Sequence, residues 1–105
     1  MAQRVNEADF QAEVLDSPVP VLVDFYSDSC VPCKRMNPII NKLEPEFEGK
    51  AKFVKVNVNY DLSLAQKYAV MASPTFVLLK GGQEVARNQG TLAKDDLAKL
   101  VEQAL

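Results

Sequence analysis

From Val19 to Ser27 the chain is almost continuously apolar, and it then places its only two cysteines, Cys30 and Cys33, three residues apart. Val21-Leu22-Val23 and Phe25-Tyr26 show no alternation of apolar and polar positions, the mark of a strand covered on both faces. Such a strand needs a layered fold around it. A helix pattern follows at residues 32–47, and Pro32 suits its first turn, where amides have no intrahelical partner. Two sulfurs between an interior strand and a helix start can close into a disulfide and reopen.

The rest of the chain supplies the layers. Residues 6–15 read as a helix, with Phe10, Val14 and Leu15 on one face, Asn6 as N-cap and Asp9 three residues on. Ser17-Pro18 ends it. Pro38 should kink the second helix by removing one backbone donor, and Gly49 closes it. Residues 51–58 read as a second interior strand, and Asp61 as the cap of a short helix over 62–68. Residues 75–79 and 83–87, around Gly81-Gly82, read as a β-hairpin. Leu92, Leu97, Leu100, Val101 and Ala104 recur at helical spacing, and Asp95 and Asp96 suit the positive end of that helix's dipole. With a short strand at 2–4 the order is βαβαβαββα. This is an α/β chain with a mixed sheet of four to five strands and about four helices on its two faces. Its 105 residues suit one domain, 1–105.

The composition narrows the chemistry. Net charge is −2, which offers no basic surface for nucleic acid. No apolar stretch reaches the ~20 residues that span a membrane. The N-terminal residues lack the apolar core of a secretory signal, so the expected compartment is the cytoplasm. In a reducing compartment two cysteines point to redox chemistry or metal. Histidine is absent, which removes Ser-His and Cys-His nucleophile pairs and every histidine-containing zinc site. Two thiols with scattered carboxylates make a poor zinc site, so neither metal nor cofactor is expected.

Cys30 falls at the helix start, where unpaired amides and the dipole stabilise a thiolate; Lys34 and Arg35 add positive charge and Asp28 opposes them. Cys33 lies one turn on, on the same face. The expected reaction is attack by Cys30 on a substrate disulfide, then attack by Cys33 on Cys30 to release the reduced substrate. Two inert structural thiols are the alternative. Asp24 is a carboxyl group inside an apolar strand. If buried, its pKa rises and it can accept the Cys33 proton; if at an edge, it simply faces solvent. Lys55, on the next strand, is its candidate partner or else a surface lysine. Pro74, after Ser73, precedes a strand, where either a cis or a trans bond is possible.

These residues resemble the thioredoxin family over essentially the whole chain. Asp24-Phe25-Tyr26, Cys30-Val31-Pro32-Cys33-Lys34 and Pro38 are similar to the family's D-F-W-A-x-W-C-G-P-C-K-x-x-x-P. Lys55-Val56-Asn57, Tyr68-Ala69-Val70, Ser73-Pro74-Thr75-Phe76, Lys80-Gly81-Gly82 and Gly90 fall at the family's spacings. The resemblance implies the thioredoxin fold, a cis bond before Pro74 and protein-disulfide reductase activity, with Asp24 the buried acid and Lys55 its neighbour. It also implies a client-binding rim of Ser29, Val31, Pro32, Ala72, Ser73, Pro74 and Gly90. The implied partners are disulfide-containing client proteins and a flavoprotein thioredoxin reductase or similar donor, met by a monomer.

Several positions depart from that pattern. Ser29 and Tyr26 replace tryptophans, and Val31 replaces the glycine between the cysteines, adding a β-branched side chain beside the thiol. Ser73 replaces the usual branched residue before Pro74. Ala93 stands where a serine often caps the last helix, a loss of about 1 kcal/mol, with the Thr91 hydroxyl nearby. A narrower partner set follows from the altered rim. The competing functions are a binding module without turnover, a chain holding an iron–sulfur cluster, and a disulfide oxidase or isomerase. The absence of a histidine between the cysteines favours a reductant.

Overall fold

The first strand pairs in parallel with the third, not with its neighbour in sequence, so the sheet is assembled through crossovers. The computed structural model describes residues 2–105. Its strands are β1 (Gln3–Arg4), β2 (Val21–Tyr26), β3 (Lys52–Asn57), β4 (Thr75–Lys80) and β5 (Gln83–Gln89). Its α-helices are α1 (Glu7–Phe10), α2 (Val31–Leu43), α3 (Leu62–Lys67) and α4 (Lys94–Glu102). The sheet order is β1-β3-β2-β4-β5, with β2 parallel to β3 and antiparallel to β4. The expected βαβαβαββα order is the one observed.

β2 is central, and five of its six residues are buried. Its residues divide alternately between two cores. Leu22 faces α2 and α4, packing with Met36, Ile40, Leu43, Leu97 and Val101. Val21, Val23 and Phe25 face the opposite layer with Phe10, Val14 and Leu64. Each fully buried Leu, Val or Phe contributes about 1.5–3 kcal/mol of transfer free energy. Asp24 follows Leu22 by two, so it stands on the face covered by α2 and α4. The register sets Lys55 of β3 and Phe76 of β4 beside it.

Several boundaries differ from expectation for local reasons. The strand begins at Val21 rather than Val19, because Ser17 Oγ bonds both the N–H and the carbonyl of Val19. The first helix is α-helical only to Phe10, capped by Asn6 Oδ1 on the Asp9 N–H at 3.0 Å. Residues Gln11–Leu15 then widen to a π-helical turn. Its i,i+5 bond, Asp16 N–H to the Gln11 carbonyl, is paralleled by a side-chain bond from Gln11 Nε2 to Asp16 Oδ1. The second helix runs through Pro38 but turns 3-10 over Glu44–Phe47, where Pro45 lacks the N–H an α ladder needs. Asp61 precedes α3 yet makes no side-chain cap; its Oδ1 accepts instead from the Glu7 N–H of α1 at 3.0 Å. Thr91 gives α4 no cap either, and Ala93 stands at the N-cap with no side-chain bond.

Candidate active site

The turn after β2 delivers both cysteines to the start of α2. Cys30 is the N-cap, in extended conformation, and its Sγ accepts the Cys33 N–H at 3.1 Å. The sulfur thus occupies the place a serine or aspartate oxygen takes in an ordinary cap. The same donor and the helix dipole favour negative charge on Cys30 when the pair is reduced. Here the two sulfurs are joined in a disulfide, with Cα atoms 5.2 Å apart. Cys30 is partly exposed, whereas Cys33 is only 3% exposed.

The loop that carries Cys30 is held from β3. Asn57, fully buried, donates from Nδ2 to Asp28 Oδ2 at 3.1 Å, and its Oδ1 accepts the Asn59 N–H at 2.9 Å. Asn59 Nδ2 donates to Ser27 Oγ at 3.1 Å, and Ser27 Oγ lies 3.2 Å from Ser29 Oγ. The Ser27 carbonyl accepts the Cys30 N–H. Five polar side chains therefore fix the segment that presents the partly exposed Cys30.

Asp24 is 3% exposed, and neither carboxylate oxygen has a hydrogen-bond partner. The solvent-facing alternative is thereby removed. Burial raises its pKa to about 7, against a smaller downward pull from Lys55. Among the described residues no ion pair joins the two. Lys55 Nζ instead donates to Asn37 Oδ1 at 3.2 Å and lies 4.4 Å from the centre of the Tyr26 ring. A cavity of about 140 Å³, lined by Tyr26, Asp28, Cys33, Lys34, Asn37 and Lys55 among others, opens beside them.

The Ser73–Pro74 peptide bond is cis. Pro74 is buried; its carbonyl accepts the Gly90 N–H at 2.8 Å, which brings Gly90 to this loop. The Thr75 hydroxyl donates to the Ala72 carbonyl at 2.7 Å. Ala72 is exposed and Ser73 half-buried, and both line a 210 Å³ groove with Val58, Leu62, Val70 and Met71. On the helix side Val31 is 56% exposed, and Pro32 and Ser29 also face outward.

A buried acid on a strand that leads into a CxxC-helix unit, with a cis proline just ahead of the strand paired to it, is one constellation of a known family, and the model of the thioredoxin family matches residues 1–103. The chain belongs to the thioredoxin family. It is 41% identical over 99 residues to the thioredoxin of Haemophilus influenzae, covering 94% of this chain and 92% of that one. It is 39% identical over 104 residues to thioredoxin 1 of a Nostoc species, covering 99% and 97%. The thioredoxin of Rickettsia felis is 34% identical over the full length of both. With the thioredoxin fold and its cysteine pair in place, the chain is a thiol–disulfide oxidoreductase of the protein-disulfide reductase kind. Its substrates are disulfides, and its electrons come from a reductase donor. A scaffold without turnover, a cluster holder and an oxidase or isomerase are not favoured.

Three residues around this site were given no role by the sequence. Asn57 entered only as part of the family-like Lys55-Val56-Asn57, and Asn59 carried no signal. Asn37 carried a usable signal, since it follows Cys33 by four and so shares its helix face.

Proposed function

We propose that Cys30 is the attacking sulfur and Cys33 the resolving one. The difference in exposure carries this assignment: a protein disulfide can reach Cys30, not Cys33. The Cys30 thiolate attacks one sulfur of the client disulfide. A Cys30–client disulfide forms, and the other client sulfur leaves as a thiolate that takes a proton from water. Cys33 then gives its proton to the Asp24 carboxylate and attacks Cys30 Sγ. The Cys30–Cys33 disulfide forms, the second client sulfur departs, and the client has gained two electrons. Lys55 tunes the acidity of Asp24 through its charge.

The client lies across Ser29, Val31, Pro32, Ala72, Ser73, Pro74 and Gly90. Ser73 makes no backbone hydrogen bond of its own among the described residues, which supports an extended client segment pairing there. A flavoprotein reductase of the thioredoxin reductase class returns the electrons. The protein works as a cytoplasmic monomer of one domain, residues 1–105. Among the described residues no helix is long and apolar enough to cross a membrane.

The test is a pair of variants in insulin reduction. Cys30→Ser should abolish turnover, and Cys33→Ser should accumulate a client mixed disulfide on Cys30 that mass spectrometry detects. Full turnover by Cys30→Ser would overturn the assignment.

A further inference from the structure

Lys55 is the cation closest in register to the buried acid, yet its ammonium is spent elsewhere. A lysine stem carries four rotatable carbons, and a carboxyl group without partners in a low-dielectric site attracts it strongly. Something must therefore hold the ammonium back. The two groups that touch it are Asn37 Oδ1, at 3.2 Å, and the Tyr26 ring, at 4.4 Å. Tyr26 ends β2, two residues beyond Asp24, and Asn37 stands on α2, four residues beyond Cys33. Each anchor thus sits on the same element as one partner in the proton transfer.

We propose that Asn37 is a positioning residue: its side-chain carbonyl tethers the Lys55 ammonium between α2 and the Tyr26 ring, keeping it off Asp24 and leaving both carboxylate oxygens free to take the Cys33 proton. This rests on the proton-transfer reading above. In the step it serves, the proton leaves Cys33 Sγ for an Asp24 oxygen, and the Cys33 electron pair forms the bond to Cys30 Sγ. An ammonium closed onto Asp24 would stabilise its charge and weaken it as a base. The groups around this arrangement are few. β3 contributes Lys55 and β4 the apolar Phe76, beside Asp24 in register. α2 contributes Cys33, Lys34 and Asn37, and the preceding loop Asp28, around the shared cavity. Among these, Lys55 is the cation that lowers the Asp24 pKa.

The test follows the Asp24 carboxyl by carbon NMR titration in the reduced protein. Asn37→Ala frees the ammonium to approach Asp24, and the midpoint should fall by about one pH unit. Asn37→Asp anchors the ammonium more firmly and adds a negative charge, and the midpoint should rise. Asn37→Gln, which keeps the carbonyl, should restore much of the parent value. In a Lys55→Met background, Asn37→Ala should have no effect. A merely structural role does not lower the midpoint in Asn37→Ala in a way that vanishes without Lys55, whereas the rise in Asn37→Asp persists there in part, from the added charge alone. The pH midpoint for decay of the Cys30 mixed disulfide should move with the titration. An unmoved Asp24 titration in Asn37→Ala, or an equal shift with and without Lys55, overturns the role of Asn37 alone. A mixed-disulfide decay whose pH profile is unchanged in Asp24→Asn overturns the proton-transfer reading beneath it.

Discussion

Asp24 and Lys55 are register partners on adjacent parallel strands, and their charges do not meet. The carboxyl group is left in an apolar layer beneath α2 with no donor of its own. A protein selected for stability alone would place leucine there. The cost falls on the fold, and in the proton-transfer role proposed above the gain falls on a base whose pKa lies near neutral pH.

That cost has a definite pH dependence. Asp24 titrates at about 7 in the native state, against 3.8 for the ordinary group. Between these values the native state keeps a proton that the unfolded chain has released. Stability from this residue is therefore complete below about pH 4 and falls as pH rises towards 7, then levels off. Three units correspond to on the order of 4 kcal/mol. Asp24→Asn removes the titration but still buries a polar amide. It should be more stable than the parent at pH 8 by about 2–3 kcal/mol, with the difference shrinking to nothing or reversing by pH 4. Urea unfolding across that range measures it, and a constant difference at all pH values would contradict it.

Asn57 should matter for stability and for the active-site loop together. It is fully buried and secures both Asp28 and the Asn59 amide. Asn57→Ala removes both bonds and leaves a small cavity at a fully buried position, at a cost of about 1–3 kcal/mol. The Ser29 and Cys30 amides should then exchange with deuterium faster than those of β4, beyond the global loss of stability. Uniform acceleration across the sheet would show that the network does not hold the loop.

Ala93 provides a gain. It sits at the N-cap of α4 with φ −65° and ψ 157°, the extended conformation a capping serine adopts, and no side chain serves the first-turn amides. Ala93→Ser should stabilise the protein by about 1 kcal/mol. The midpoint of chemical unfolding should rise with no change in its slope.

The fold was legible because its central strand is hydrophobic without alternation and its helices carry clear periodicity, as in Leu97, Leu100 and Val101. The cysteine pair was legible from its position between a strand and a helix. Other features depend on contacts between residues distant in sequence, which no local pattern encodes. Asp61 carries the signature of a cap, yet tertiary packing turns its Oδ1 to Glu7, 54 residues away. Asn57 and Asn59 gain their meaning from a loop thirty residues earlier. The burial of Asp24 needed both flanking strands and α2 to be placed, so one strand's sequence left it undecided. Asn37 shows the opposite case: its helical spacing from Cys33 was visible, but its partner Lys55 lies across the layer on β3.

Ala69 offers a test of local strain near the groove lined by Ala72 and Ser73. It is the one described non-glycine residue with positive φ, at 52°. It follows α3 in a two-bond C-terminal turn, with the Ala69 N–H on the Gln66 carbonyl and the Val70 N–H on the Ala65 carbonyl. This turn demands the left-handed conformation at Ala69, where a Cβ costs about 1–2 kcal/mol. Ala69→Gly removes that cost and gives back about 0.4–1 kcal/mol through the greater freedom of the unfolded chain. The net expectation is stabilisation by about 0.5–1 kcal/mol. Val70 and Ala72 line the groove beyond this turn. Insulin reduction should be unchanged, since glycine adopts the same φ without moving the chain. Thermal unfolding and a turnover assay on the same preparation measure both. A destabilised Ala69→Gly would mean that the alanine methyl makes contacts outweighing its strain.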